Sequence, residues 1–212
     1  MKIAIIGASG YVGSALTQEA LSRGHEVTAL VNNPAKIATA PGLQALAANV
    51  QDAASLPAAL AGYDVVISAF SGHAQADTEA YFVTGFKNLL AAAKAAGVKR
   101  LAVVGGAGSL EVAPGLQLLD TPQFPAEFKP TAEGARTALN LLRQQNELDW
   151  VMLSPAAMLE PGQRTTQYRL GGDQLLVDAA GNSKISVQDF AHAMINEVEQ
   201  PQHHNQRFTL AY

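Results

Sequence analysis

The chain has 212 residues, of which 48% are hydrophobic and 15% are charged, and its formal net charge at pH 7 is -4. This balance is typical of a globular protein and excludes a disordered chain. Cysteine is absent, which excludes disulfides, thiolate metal sites and thiol nucleophiles. No basic run is present to meet nucleic-acid phosphates, and no apolar stretch approaches the roughly 20 residues of a membrane span. We therefore expect no nucleic-acid partner and no membrane partner.

The first thirty residues predict a strand, a helix and a second strand. Residues 3–6 are all apolar, as in a parallel strand that is covered on both faces. Apolar residues then recur at helical spacing over residues 12–21, and Gly24 is expected to end this helix. Residues 25–31 are rich in β-branched and apolar side chains and predict the next strand. This order implies a right-handed crossover in a parallel sheet.

The alternation of strands and helices continues to the end of the sequence. Further strands are predicted at residues 43–50, 64–69, 100–106, 149–154 and 207–212, and further helices at 53–61, 77–96, 131–146 and 186–201, with Ser186 as a candidate cap. The region after residue 154 suggests a hairpin, with turns at 171–173 and 181–182. We expect one α/β domain over residues 1–212. It contains a doubly wound, mostly parallel sheet and a small C-terminal extension on the substrate side.

A glycine triplet lies between the first strand and the first helix. In IGASGYVGSAL, the glycines are Gly7, Gly10 and Gly13. In a dinucleotide-binding turn, one glycine permits the tight turn, one lets the backbone approach the pyrophosphate, and one lets helix and strand pack closely. The alternative is a strand–helix corner in which the glycines serve packing alone. The strand before and the helix after the triplet favour the phosphate-binding interpretation.

The spacing G-x-x-G-x-x-G in GASGYVG resembles the cofactor turn of the atypical short-chain dehydrogenase/reductases. Further stretches are similar to the branch of NADH-flavin reductases and epimerase-like proteins, which is related to biliverdin reductase B and the NmrA-like proteins. These stretches are VNNPAK, VVGGAGSL, FPAEFK, LDWVMLSPA and RFTLAY. The resemblance covers essentially the whole chain and implies a Rossmann fold that binds NAD or NADP. The contacts that we then expect for the cofactor are Gly7, Ser9, Gly10, Tyr11, Val12, Gly13, Asn32, Lys36, Asn49, Val50, Ala69, Phe70, Gly105 and Pro155.

The end of the second strand bears on the choice of cofactor. An acid there accepts hydrogen bonds from the ribose of NAD, whereas an arginine pairs with the 2′-phosphate of NADP. Arginine is usual in the resembling family where this chain has Asn32, and Lys36 could supply the missing charge. Alternatively, Asn32 and Asn33 only cap the helix that follows, and Asn49 only shapes a turn. The choice between NAD and NADP therefore stays open.

The usual proton donor of short-chain dehydrogenases is missing. That donor is a tyrosine followed four residues later by a lysine, and none of the five tyrosines has such a partner. Ser109 and Lys129 are the remaining candidate catalytic residues. Ser109 could polarise a bound oxygen, or it could be a turn hydroxyl bonded to nearby backbone. His203 and His204 are adjacent, and adjacent side chains rarely bind one metal, so no metal site is expected.

The missing donor favours hydride transfer to an acceptor whose anion is delocalised, because such an acceptor needs no acid in the transition state. We expect a flavin-like or quinone-like small molecule, held by the apolar side chains Phe70, Phe124, Phe128, Met158 and Tyr168. An NmrA-like redox sensor without turnover is the second interpretation, and a sugar-nucleotide epimerase or dehydratase the third. A monomer or homodimer is expected. The opening MKIAIIG is too short for a signal-peptide core, so a cytoplasmic location is expected.

Overall fold

Short apolar strands alternate with helices along the chain, which a computed structural model describes over residues 1–73 and 75–212. The strands are β1 (Lys2–Ile6), β2 (Glu26–Val31), β3 (Leu43–Ala47), β4 (Val65–Ser68), β5 (Arg100–Val104), β6 (Glu111–Ala113), β7 (Leu116–Gln117), β8 (Asp149–Ser154), β9 (Met158–Glu160), β10 (Arg169–Gly171), β11 (Lys184–Ser186) and β12 (Gln206–Ala211). The α-helices are α1 (Tyr11–Ser22), α2 (Leu56–Leu60), α3 (Thr78–Ala95), α4 (Lys129–Arg143) and α5 (Val187–Glu199). Four short 3-10 helices lie in the connecting loops of the described chain.

The main sheet has the strand order β10-β12-β8-β5-β4-β1-β2-β3. Neighbouring strands run parallel throughout, except that β10 is antiparallel to β12. The strand order reverses at β1, because β2 and β3 follow on one side of β1 whereas β4 lies on its other side. This arrangement confirms the predicted doubly wound, mostly parallel sheet in one domain.

Helices cover both faces of this sheet. On β1, Ile3 and Ile5 point to the face covered by α1 and α5, while Ala4 and Ile6 point to the face covered by α2, α3 and α4. Each face has its own buried core, around Phe190 on the first and around Trp150 on the second. Because both faces are buried, the central strands consist mostly of apolar residues.

The hairpin predicted after residue 154 is wrong. β9 instead pairs with β11 in a separate parallel ribbon, and β10 joins the edge of the main sheet. Both pairings join segments that are distant in the chain, so local turn residues did not reveal them. The predicted turn at residues 181–182 is present, where Gly181 has φ +82° and Asp178 accepts a hydrogen bond from the Asn182 backbone.

Two further elements differ from the sequence prediction. Helix α4 begins at Lys129, two residues earlier than predicted, because Pro130 is tolerated in a first turn, where its missing N–H has no intrahelical partner. The antiparallel pair β6–β7 was not predicted. The sequence feature that could have predicted this pair is the Pro114–Gly115 dipeptide between apolar residues, which is typical of a turn. Gly115 has φ +73° in that turn.

Candidate functional site

The carboxyl ends of β1, β2, β4, β5 and β8 lie along one edge of the sheet, because these strands are parallel. The loops that follow them therefore meet at this edge. In open α/β sheets, ligands bind in the crevice outside this edge, where the strand order reverses. Here that point lies between β1 and β4.

The three glycines after β1 have different surroundings. Gly7 has φ +76°, and its N–H donates to the Leu30 carbonyl oxygen over 3.0 Å. A Cβ atom on Gly13 would lie 2.1 Å from the Gly7 carbonyl oxygen, so only glycine allows α1 to start this close to β1. A Cβ atom on Gly10 would lie 3.2 Å from the same oxygen, and Gly10 is exposed. Turn and packing thus account for Gly7 and Gly13, whereas Gly10 is exposed immediately before α1.

The N-terminus of α1 offers free backbone donors at this edge. Gly10 is the residue before the helix, and within the described residues no side chain caps it. The first-turn N–H groups, at Tyr11, Val12 and Gly13, have no intrahelical acceptors by geometry. No acidic side chain occupies this turn, and the neighbouring Ser9 is exposed. An uncapped helix start of this kind, with its positive dipole end, suits a phosphate group.

Tyr11 lies half exposed beside this helix start. Partial burial, and secondly the negative charge of Glu160 on β9, raise the pKa of Tyr11 above its usual value. Tyr11 therefore keeps its proton at neutral pH and offers an O–H group.

After β2, the two asparagines have separate positions. Asn33 caps the short 3-10 helix Pro34–Lys36, because its side-chain oxygen accepts a hydrogen bond from the Ala35 N–H over 3.1 Å. Capping therefore falls to Asn33, while Asn32 is exposed immediately after the strand. Lys36 is exposed at the end of the same turn. Their roles in cofactor binding stay predictions.

The loop after β3 contains Asn49 and Val50. The Asn49 side-chain oxygen accepts a hydrogen bond from the Gln51 N–H over 2.9 Å, which is the turn role that the sequence allowed. Val50 is buried, and its carbonyl oxygen accepts a hydrogen bond from the Asn88 side chain over 3.0 Å. This loop is thus held against α3.

The loop after β4 lies beside the glycine turn. The Ala69 N–H donates to the Ile6 carbonyl oxygen over 2.9 Å, and a Cβ atom on Gly7 would lie 2.7 Å from the Ala69 carbonyl oxygen. The Phe70 ring is stacked on Phe82, with centroids 5.3 Å apart and an interplanar angle of 9°. Phe70 therefore packs towards α3 and forms part of the crevice wall.

The ends of β5 and β8 contain Gly105 and Pro155, two of the residues expected to contact the cofactor. The Gly105 N–H donates to the Leu153 carbonyl oxygen over 2.8 Å, and Pro155 is buried. Next to Gly105 lies Ser154, which directly precedes Pro155 and belongs to the stretch LDWVMLSPA that is similar to the resembling family. Its side chain is fully buried, and its hydroxyl oxygen has no hydrogen-bond partner among residues 1–73 and 75–212.

The two candidate catalytic residues lie in contrasting places. Ser109 is 3% exposed, and its hydroxyl oxygen accepts a hydrogen bond over 3.0 Å from Arg207, which is 98 residues away in the chain. The Arg207 guanidinium also pairs with Asp173, and burial lowers the pKa of Arg207 despite this partner. Ser109 thus bonds to a distant side chain rather than to nearby backbone. Lys129 is exposed at the start of α4, and Pro125 stands where a partner tyrosine would be.

The other residues predicted to form an acceptor pocket divide into two groups. Phe128 and Met158 are 54% and 45% exposed, and Phe124 is half-buried. Tyr168 instead packs on α5, where its hydroxyl is hydrogen-bonded to His192 Nδ1 over 2.8 Å. Tyr168 is thus tied to α5, whereas Phe128 and Met158 present exposed apolar surface.

The two adjacent histidines belong to a polar cluster at the opposite, amino-terminal edge of the sheet. His203 pairs with Glu197 over 2.8 Å, and His204 pairs with Asp149 over 2.9 Å. Both carboxylates also bind the buried guanidinium of Arg100. In the described part of the chain, no group of three or more His, Asp or Glu side chains could hold a metal ion. Within those residues, no helix is long and apolar enough to cross a membrane.

Comparison with known proteins agrees with this geometry. A model of a family described as NAD(P)H-binding matches residues 7–201. A solved structure from Bacteroides thetaiotaomicron, named as a candidate epimerase, is 46% identical, with a TM-score of 0.92 over 100% of this chain and 96% of that chain. One from Burkholderia pseudomallei, named as a candidate exported protein, is 47% identical, with a TM-score of 0.90 over 100% of both chains. A candidate NADH-flavin reductase from Streptococcus pneumoniae is 34% identical, with a TM-score of 0.86 over 100% of this chain and 99% of that chain.

Proposed function

Because the chain belongs to the NAD(P)H-binding Rossmann family, we propose that it is an oxidoreductase that passes hydride from NADH or NADPH to a flat, delocalised acceptor of flavin or quinone type. The observation that carries this proposal is the uncapped start of α1 at the point where the strand order reverses. The name of the Streptococcus pneumoniae relative, a candidate NADH-flavin reductase, supports the same class of reaction.

The residues at the crevice fit a dinucleotide. The free N–H groups after Gly10 would hold the pyrophosphate, and Asn32 and Lys36 would lie on the ribose side. At the other end, Gly105 and the buried, unpartnered hydroxyl of Ser154 would meet the nicotinamide end. A buried hydroxyl without a partner is costly, so a ligand that supplies one is favoured there. When bound, the dinucleotide supplies the hydride.

The choice of acceptor follows from the side chains that remain. Reduction of a carbonyl gives an alkoxide and needs a positioned proton donor, usually the tyrosine that this chain lacks. The Ser109 hydroxyl oxygen is hydrogen-bonded to Arg207, and Lys129 is exposed without a tyrosine partner. A delocalised ring takes the hydride without an acid, and solvent can protonate it later. The exposed apolar surface of Phe128 and Met158 suits such a ring.

The second candidate function is a redox sensor that binds the dinucleotide without turnover. The missing catalytic tyrosine is as compatible with such a sensor as with the proposed oxidoreductase. Epimerase activity, suggested by the name of the Bacteroides thetaiotaomicron relative, is less well supported because sugar chemistry of this kind uses the tyrosine–lysine pair. Stopped-flow oxidation of NADH and NADPH with FMN and menadione as acceptors separates these functions. Turnover with either acceptor supports the oxidoreductase. Tight binding by calorimetry with no oxidation supports the sensor and overturns the oxidoreductase.

The proposal also covers the oligomeric state of the protein and its location in the cell. We propose a monomer or homodimer that acts in the cytoplasm on a small molecule. Light scattering after gel filtration would measure the mass in solution against the 22.2 kDa of one chain. Because the Burkholderia pseudomallei relative is named as a candidate exported protein, fractionation of the native host is the decisive test of location. Recovery outside the cytoplasm would overturn that part of the proposal.

A further inference from the structure

One face of α3 is built against two loops of the crevice. Tyr81, Gly85 and Asn88 are four and three residues apart, so they share one side of the helix. Opposite them lie the loop after β3, with Val50 and Gln51, and the loop after β4, with Phe70. We call these three residues of α3 the α3 clamp.

Two side-chain hydrogen bonds connect the α3 clamp to the loop after β3. The Asn88 Nδ2 atom donates to the Val50 carbonyl oxygen over 3.0 Å. The Gln51 Nε2 atom donates to the Tyr81 carbonyl oxygen over 2.8 Å. Both bonds are partly buried, and they hold the adjacent loop residues Val50 and Gln51 against the helix.

Gly85 sets the distance between α3 and both loops. A Cβ atom there would lie 2.8 Å from Val50 Cγ2, 2.9 Å from Gln51 Nε2 and 2.9 Å from Phe70 Cε1. Glycine is a poor residue for the interior of an 18-residue helix. Its presence is explained by this close approach, since a side chain here would have to push aside the side chains of Val50, Gln51 and Phe70.

The clamped loops lie on the adenosine half of the crevice. They follow β3 and β4, which flank β1 and β2 in the sheet. In a doubly wound sheet, the adenosine ribose is bound at the end of the second strand of the first β-α-β unit, here at Asn32. Phe70 also continues from Ala69, whose backbone contacts Gly7 of the glycine turn.

We propose that the α3 clamp positions the adenosine half of the dinucleotide. Asn88 and Gly85 are positioning residues, which act through Val50 and Phe70 and touch no reacting atom. The proposal rests on dinucleotide binding by the family and not on the identity of the acceptor. It predicts that damage to the clamp weakens binding of the adenosine half and leaves hydride transfer unchanged.

Two variants test this clamp in opposite ways. Asn88→Ala removes a tether, and Gly85→Ala inserts a methyl group while favouring the helix. Asn140→Ala, at an exposed position on α4, and Gly172→Ala, which has open space at its Cβ position, are the matched controls. One clamp variant removes atoms and the other adds them. If one of the two variants fails to fold, the other still tests the proposal.

The measurements separate the two halves of the cofactor. We expect each clamp variant to raise the Kd of ADP-ribose and of NADH about tenfold, the equivalent of one lost hydrogen bond. The KM of reduced nicotinamide mononucleotide as hydride donor, and kcat at saturation, should stay unchanged. A merely structural role would lower the melting temperature without this split.

The outcomes distinguish the clamp from the proposed reaction. If the wild-type protein binds ADP-ribose but oxidises no NADH, the oxidoreductase proposal fails, and the ADP-ribose measurements still test the clamp. Unchanged ADP-ribose affinity in both folded variants would overturn the clamp. An equal loss of affinity for reduced nicotinamide mononucleotide, or no binding of ADP-ribose by the wild type, would overturn it too.

Discussion

Replacing Gly10 with alanine should separate cofactor binding from folding. The backbone at Gly10 has φ −80° and ψ 172°, an extended conformation that any residue adopts. The new Cβ atom would approach only the Gly7 carbonyl oxygen, at 3.2 Å. Alanine is a poorer cap than glycine, but it also lowers the entropy of the unfolded chain, so we expect a loss of about 1 kcal/mol or less. The melting temperature should then fall by about 2–4 °C.

Binding should suffer much more than stability. The added methyl group would stand where a phosphate approaches the N–H groups of α1. Loss of one hydrogen bond to a charged group is worth about 1.5–3 kcal/mol, and the helix dipole adds to it. Every 1.4 kcal/mol is tenfold in affinity, so the Kd for NADH and NADPH should rise at least about tenfold.

Titration calorimetry with both nucleotides, alongside thermal melting, measures the two effects on the same sample. Gly172→Ala is the control, because the Cβ position of Gly172 has no neighbour within 4 Å in the described chain. It should change neither quantity. Gly10→Ala with wild-type affinity for both nucleotides would refute the reasoning that assigns this glycine to the phosphates.

Three further predictions concern other residues. Ser109→Ala should lower the melting temperature by a few degrees, because it removes a hydrogen-bond acceptor from buried Arg207. It should lower kcat less than about tenfold in stopped-flow assays. A larger loss of turnover would identify Ser109 as a catalytic acid. Asn32→Arg should shift the ratio of calorimetric affinities towards NADPH, and equal changes for both nucleotides would show that residue 32 points elsewhere. Burial acts to raise the pKa of Glu19, but hydrogen bonds and charge from Arg164 and a second arginine outweigh it and lower that pKa. The ionised form therefore stabilises the fold above the unfolded pKa, and urea titrations should show the stability advantage over Glu19→Gln vanishing as pH falls below about 4.

The core of the fold was predictable because burial on both faces imposes a local pattern. Residues 3–6 and 65–67 are apolar without interruption, and such runs in alternation with helical periodicity leave few alternatives to a parallel sheet. The region after residue 154 has no such pattern. Its first three strands, β9, β10 and β11, have three residues each, and their partners lie far along the chain. A short polar strand encodes little of its register, so the sequence predicted a local hairpin instead.

The site was predictable where one residue type has one physical use. The spacing of Gly7, Gly10 and Gly13 predicted a turn and a close packing contact, and the geometry of the turn bears out both. Contacts between distant residues were not predictable. Nothing near Ser109 in the sequence pointed to Arg207, and nothing near Gly85 pointed to Val50. Such contacts depend on strand order, which single-sequence patterns specify only coarsely.

The chemistry at the crevice is limited by which groups are already engaged. The Ser109 hydroxyl oxygen accepts from a guanidinium, and the Lys129 ammonium is exposed without the tyrosine whose pKa it would lower. What remains at the edge is the backbone N–H groups and the Tyr11 hydroxyl at the start of α1, and the buried hydroxyl of Ser154. In the proposed function these groups would hold two rings in register, and none of the five tyrosines has the lysine four residues later that lowers the pKa of a catalytic tyrosine. Alignment alone can supply a large share of a rate enhancement, on the order of 7–11 kcal/mol, when both reactants are held. If the proposed oxidoreductase function is correct, the rate should therefore depend on the loops that fix the cofactor more than on any single side chain, and the acceptors should be ones that take hydride without an acid.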